Sequence, residues 1–194
     1  MALNQSGLSS SILDLFESGK NPLSTSGTLA EAWSSCINSY FLTAKDPLGN
    51  GMLSSIPAAT LLQLTALFAL AFVGSGSAAS FSNSLNTAIV SLISTGVMAP
   101  AIYLPIAIPP VVNVPIGSNI IVGVPPDKII ESKNRFQSIL TLPSSAPYKT
   151  SEEQAAAISE AITLLIKSTV VTLTYSTVIA PAAAVTVIVS QNLL

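Results

Sequence analysis

Along the first half of the chain, apolar positions recur three and four residues apart, the period of amphipathic helices. Ser9 or Ser10 is placed to cap a first helix, SSILDLFES, with Ile12, Leu13 and Phe16 on its apolar side and Gly19 at its end. After the polar linker KNPLSTSG, Ser26 or Thr28 begins a second helix, TLAEAWSSCINSYFLTA. Leu29, Trp33, Cys36, Ile37, Tyr40 and Phe41 form its apolar stripe, with Glu31, Ser34, Ser35 and Asn38 on the other side. The stretch DPLGNG closes it with turn residues. A third helix starts near Pro57 and ends at Gly74; Ile56 to Val73 is apolar nearly all round, with Thr60, Gln63 and Thr65 as the polar exceptions. Such a helix is either central to a core or in a membrane. The fourth, AASFSNSLNTAIVSLISTG, sets Phe81, Leu85, Ile89, Leu92 and Ile93 on one side and Ser and Asn opposite, and Gly96 stops it.

The pattern then changes. VMAPAIYLPIAIPPVVNVPIGSNIIVGVPP carries Pro100, Pro105, Pro109, Pro110, Pro115, Pro125 and Pro126. No long helix survives that spacing, and proline cannot donate to the ladder of a central strand. What remains is an extended arm with edge-strand pieces at Val111 to Val114 and Asn119 to Val124. A disordered linker would be polar, whereas this one is rich in Ile and Val and needs a surface, on its own domain or on a neighbour. Val111, Val112, Val114, Ile116, Ile120, Ile121 and Val122 are the candidate interface residues.

Charge returns in DKIIESKNRFQSIL, which predicts a short exposed segment of about half a helix. Thr150 as N-cap with Glu153 at N3 predicts a capping box and a last long helix reaching at least Ser168. From Val170 the residues are β-branched, and Pro181 divides the tail; VTVIV fits a strand and a buried helical end equally. The fold expected is mainly α: a bundle of about five helices with an extended Pro/Val/Ile-rich arm and short β-strand pieces. Its parts are an N-terminal helical domain (1–98), the proline-rich arm (99–126), and a C-terminal long helix with an apolar tail (127–194).

Three helices share a local pattern, AWSSCINS, SFSNSLNT and AISEAITL. Each has a large apolar residue (Trp33, Phe81, Ile158), then serine (Ser34, Ser82, Ser159), then an aliphatic residue three further on (Ile37, Leu85, Ile162). Serine beside an apolar stripe allows close packing on a neighbouring helix. Similar helices stacked on one another fit this echo, as does chance likeness among Ala/Ser-rich helices.

Composition sharpens the picture. Charged residues are 8% of the 194, against about 25% in an ordinary soluble domain. From Pro47 to Pro126 there is none, and none follows Lys167. Hydrophobic residues make up 49% and net charge is −2, so no field steers nucleic acid or anionic lipid. Too few charges remain to cover the exterior, which implies that neighbours cover much of it.

The N-terminus has neither a basic region nor a long apolar run, so no secretory signal is expected. With no histidine, the commonest general base and zinc ligand are missing, and the lone Cys36 forms no internal disulfide. The carboxylates are scattered apart from Glu152 and Glu153, whose place at a helix N-terminus the dipole explains. GSGS at 74–77 lacks the lysine of a phosphate loop. The expectation is a protein that is not an enzyme, with no cofactor, metal, small-molecule substrate or nucleic-acid partner.

GTLAEAWSSCINSYF and AASFSNSLNTAIVSLISTGV, joined by Ser/Gly-rich turns and followed by a proline-rich end, resemble small structural proteins of tailed bacteriophages. The likeness spans roughly residues 5–125 and is one of texture, so no functional residue is carried over. It implies a virion component of the tail, neck, baseplate or capsid surface, in several symmetric copies, bound to itself and to other virion proteins. The wholly uncharged C-terminal tail departs from that texture. The alternative is a membrane-inserted helical protein such as a phage holin. Against it, neither flank of the third helix carries a basic cluster.

Overall fold

The computed structural model describes residues 3–19, 25–45, 58–73, 78–96, 111–115, 120–140, 150–179 and 184–192. In chain order these form α1 (Gln5–Gly19), α2 (Ser26–Phe41), α3 (Ala58–Val73), α4 (Ala78–Thr95), β1 (Val111–Pro115), β2 (Ile120–Gly123), α5 (Pro126–Leu140), α6 (Ser151–Lys167), β3 (Val170–Ile179) and β4 (Ala184–Asn192). The protein is mainly helical, with a small antiparallel sheet. Each helix packs on the next in sequence, and α6 closes the ring against α1.

The helix starts follow local chemistry. Asn4 caps α1: its Oδ1 accepts from the Gly7 amide and the Ser6 hydroxyl, both at 3.0 Å. A Cβ on Gly7 would lie 2.7 Å from Asn4 Nδ2, so glycine leaves room for the cap. The helix therefore begins a turn before Ser9 or Ser10, and the Ser10 hydroxyl donates back to Ser6 O instead. Thr25 and Thr28 cap α2 reciprocally, each side-chain oxygen accepting the other's amide, at 3.2 and 3.1 Å. Thr150 caps α6 as the sequence predicts, its Oγ1 accepting from the Glu153 amide at 3.2 Å. The segment expected to be about half a helix is the 15-residue α5. Pro126 occupies its first position, where proline's missing N–H is no loss, and Pro125 O accepts from the Lys128 and Ile129 amides.

Trp33 of α2 is the hub of the bundle. Its ring meets Phe16 of α1 at 6.2 Å, Phe68 of α3 at 6.1 Å and Phe81 of α4 edge-on at 5.9 Å. Two of the large residues of the sequence echo thus touch each other. Its serines, Ser34, Ser82 and Ser159, are all buried. Ser82 and Ser159 donate to carbonyls of their own helices, Ala79 O at 3.0 Å and Ala156 O at 2.8 Å. Ser34 Oγ, on the side expected to be polar, is buried with no hydrogen-bond partner among the described residues. Asn86, also expected on a polar side, is buried because α5 packs on α4 there; its Oδ1 accepts from the Ser132 hydroxyl and its Nδ2 donates to Ile129 O at 3.2 Å.

Among the described residues Leu8, Ile12 and Leu15 of the 1–98 segment share one core with Ile158, Ile162 and Leu165 of the 127–194 segment. By contrast, the exposed ion pair between Arg135 and Glu160, at 2.9 Å, joins α5 to α6 for at most about 1 kcal/mol. Each large aliphatic side chain in the core is worth about 2–5 kcal/mol against alanine, so packing holds the helices together.

In the sheet, β3 lies between β4 on one side and β1 with β2 on the other. β4 pairs with β3 from Val170↔Asn192 to Val178↔Ala184. β1 covers Tyr175 to Ile179 and β2 covers Val170 to Thr172, so the two lie end to end along one edge of β3. The tail that fitted two readings from sequence is therefore strand on both sides of Pro181. Between Ile121↔Val171 and Gly123↔Val170 one residue, Val122, is extra on β2 and forms a bulge. Gly123 has φ 122°, which side-chain-bearing residues rarely adopt, and there the chain turns towards α5. Ile121 packs on the buried core, next to buried Val171.

Candidate interaction surface

The candidate interface residues fall on the two arm strands. Val111, Val112 and Val114 lie in β1 and pair in backbone register with Ile179, Val178 and Ser176. Ile120 and Ile121 pair with Thr172 and Val171 of β3. Ile116 lies outside the described residues. The arm's strands thus run along the chain's own sheet, a pairing that the sequence left open. Ile121 is half-buried, while Val122, pushed out by the bulge, is 65% exposed.

Two further surfaces were not legible in the sequence. The first is the outward face of α3. Leu64 and Phe68 turn into the core, and Leu62 and Leu70, 72% and 67% exposed, turn away from it. Ala59, Gln63 and Ala66 are exposed on that same side. A helix apolar all round has no periodicity to show which side is buried. Among the described residues of that face Gln63 alone is polar, too little to set a direction. The second surface is the far edge of β4, which among the described residues pairs with β3 alone.

Two grooves carry polar groups. Between α5 and α6, Lys128, Glu131, Arg135 and Lys167 surround Leu164 and Leu165 in a space of about 250 Å³. Lys128 is held by Glu131 at 2.7 Å, which keeps its ammonium protonated to higher pH, and Arg135 is held by Glu160. Between α1 and α2, Ser11, Ser35, Ser39 and Thr43 line a wider groove with Asp14 and Cys36. Burial pushes the Cys36 thiol up, against a smaller lowering by its hydrogen bond with Ser11. Among the described residues no three His, Cys, Asp or Glu side chains gather to hold a metal, and no helix is long and apolar enough to cross a membrane. No known protein family, curated protein or solved structure matches the chain.

Proposed function

We propose that this protein is a non-enzymatic structural subunit of a viral particle, a tail, neck, baseplate or capsid-associated component, which holds copies of itself and other virion proteins through uncharged surfaces. The observation that carries the reading is the open edge of β4. Ala184–Asn192 presents nine residues of strand with no charge and no proline, and its far side is unpaired among the described residues. A row of free backbone N–H and C=O groups is a template for another strand, and proteins that stay monomeric blunt such edges with lysine, proline or a bulge. This edge has none of those devices. The virion assignment draws its support from the phage-like texture of residues 5–125.

The exposed Leu62 and Leu70 favour a second reading, insertion of α3 into a membrane. Its 16 residues span about 24 Å at 1.5 Å per residue, short of the roughly 30 Å of a bilayer core. Fractionation separates the two. The protein should pellet with purified particles in detergent, and a mass-spectrometric survey of those particles should contain it. Recovery in a floating lipid fraction, with none in the particles, would overturn the virion reading.

A further inference from the structure

We infer that α3 is a detachable element of the bundle, which lifts off α2 and α4 as a unit while the other helices stay folded. Polar ties set it apart from them. Tyr40 and Thr163 join α2 to α6 at 2.6 Å, Asn86 Nδ2 donates to Ile129 O at 3.2 Å to join α4 to α5, and Arg135 and Glu160 join α5 to α6 at 2.9 Å. The hydrogen bond between Ser11 and Cys36 ties α1 to α2. Among the described residues no hydrogen bond or ion pair joins α3 to another element; the Thr65 hydroxyl donates at 3.0 Å to Leu61 O of its own helix. Burial is thin as well. Among the described residues of α3 only Leu64 and Phe68 are buried, and Leu62 and Leu70 stand in water even when the helix is docked.

The surface beneath α3 opposes docking. Ser34 and Asn38 lie one turn apart on the flank of α2 away from the α1 groove, which Cys36 and Ser39 line, and α3 packs on α2 from that flank. Ser34 Oγ and Asn38 Oδ1 are buried there with no hydrogen-bond partner among the described residues. Docking of α3 strips both of water and returns no bond, a cost that ends when α3 leaves. Leu64 and Phe68 act against departure, Phe68 by stacking on Trp33 at 6.1 Å. The rest of the ring survives it. Trp33 keeps Phe16 and Phe81, α2 keeps its tie to α6, and α4 keeps its tie to α5. Elements with few buried contacts open first, below the free energy of global unfolding. Opening uncovers Trp33, Leu64 and Phe68, so the chain carries a concealed apolar surface governed by one local equilibrium.

The test uses the full chain under native conditions. In hydrogen exchange read by mass spectrometry, the amides of α3 should exchange together and at least about tenfold faster than those of α4 and α6. Ser34→Ala removes one orphaned hydroxyl from the docked state and should slow α3 exchange about fivefold. Thiol labelling reads the opening from the α2 side. In a Cys36→Ser background, Ser34→Cys should be labelled at the rate of α3 exchange, and much faster than Ser159→Cys, which is buried in α6. Exchange of α3 at the rate of α4 and α6, or equal labelling at positions 34 and 159, would show that the bundle opens only as a whole and would overturn the inference. Unchanged α3 exchange in Ser34→Ala would overturn it too, because Ser34 would then stay covered while α3 moves.

Discussion

Single buried hydroxyls in this protein differ in sign. Tyr40 OH and Thr163 Oγ1 are 2.6 Å apart in the core, and Thr163 gives its one proton to Ser159 O at 2.7 Å. Tyr40 is therefore the donor, and the three groups form a satisfied chain between α2 and α6. Burial raises the Tyr40 pKa, against a smaller lowering by the bond to Thr163. The raised value means that the unfolded chain ionises first. This contribution to stability is whole below about pH 10 and is lost as pH rises through the folded value. Tyr40→Phe should lower neutral stability by about 1–2 kcal/mol and flatten the decline above pH 10, read by urea unfolding across pH. Ser34 is the opposite case. Its hydroxyl is buried with no partner among the described residues, so Ser34→Ala should raise stability by about 1 kcal/mol. Ser159→Ala, which loses a made bond, should show no such gain in the same assay.

At the scale of elements, the transition from β2 to α5 decides where the arm ends. Val122 is the extra residue of the bulge, Gly123 turns the chain with φ 122°, and Pro126 opens the helix. A Cβ at Gly123 meets nothing within 4 Å, so substitution there is opposed by backbone conformation alone. Gly123→Ala should cost about 1–3 kcal/mol, and Gly123→Asn about as much, since φ 122° lies well beyond the left-handed region near about +57° that asparagine tolerates. Negligible losses in denaturant melts would show that the backbone relaxes there to a negative φ at little cost. Helix ends depend on single hydroxyls and amides in the same way. Asn4, Thr25 and Thr150 each place a side-chain oxygen on the third amide of its helix, the geometry that orients α1, α2 and α6 at their entries.

For the whole molecule, scarcity of charge governs behaviour. The ion pairs Lys128–Glu131 and Arg135–Glu160 are both substantially exposed, and they add little to a fold held by its core. Raising sodium chloride from about 0.05 to about 1 M, which shrinks the Debye length to about 3 Å, should change the unfolding midpoint little. Under the proposed assembly, the same salt series should leave self-association undiminished, and sulfate should strengthen it by favouring apolar burial. Dissociation by simple salt would count against the proposed uncharged contacts and show that charges hold copies together.

Helical spacing, caps and prolines were enough to place α2, α3, α4 and α6 and the strand pieces of the arm, because periodicity, capping oxygens and the missing proline N–H act within a few residues of themselves. The start of α1 escaped because Asn4 caps ahead of the serines that seemed better placed. The length of α5 escaped because Asp127, Lys128, Glu131, Lys133 and Arg135 crowd its first ten positions, although Ile129, Phe136, Ile139 and Leu140 recur there at helical spacing. No local rule could say that β3 takes β4 on one side and the arm on the other, since strand pairing depends on residues far apart in the chain. Nor could it say which side of α3 faces out. A helix apolar on every side has no preferred direction of its own; the direction arises when Leu64 and Phe68 meet the Trp33 cluster, and Leu62 and Leu70 are left in water.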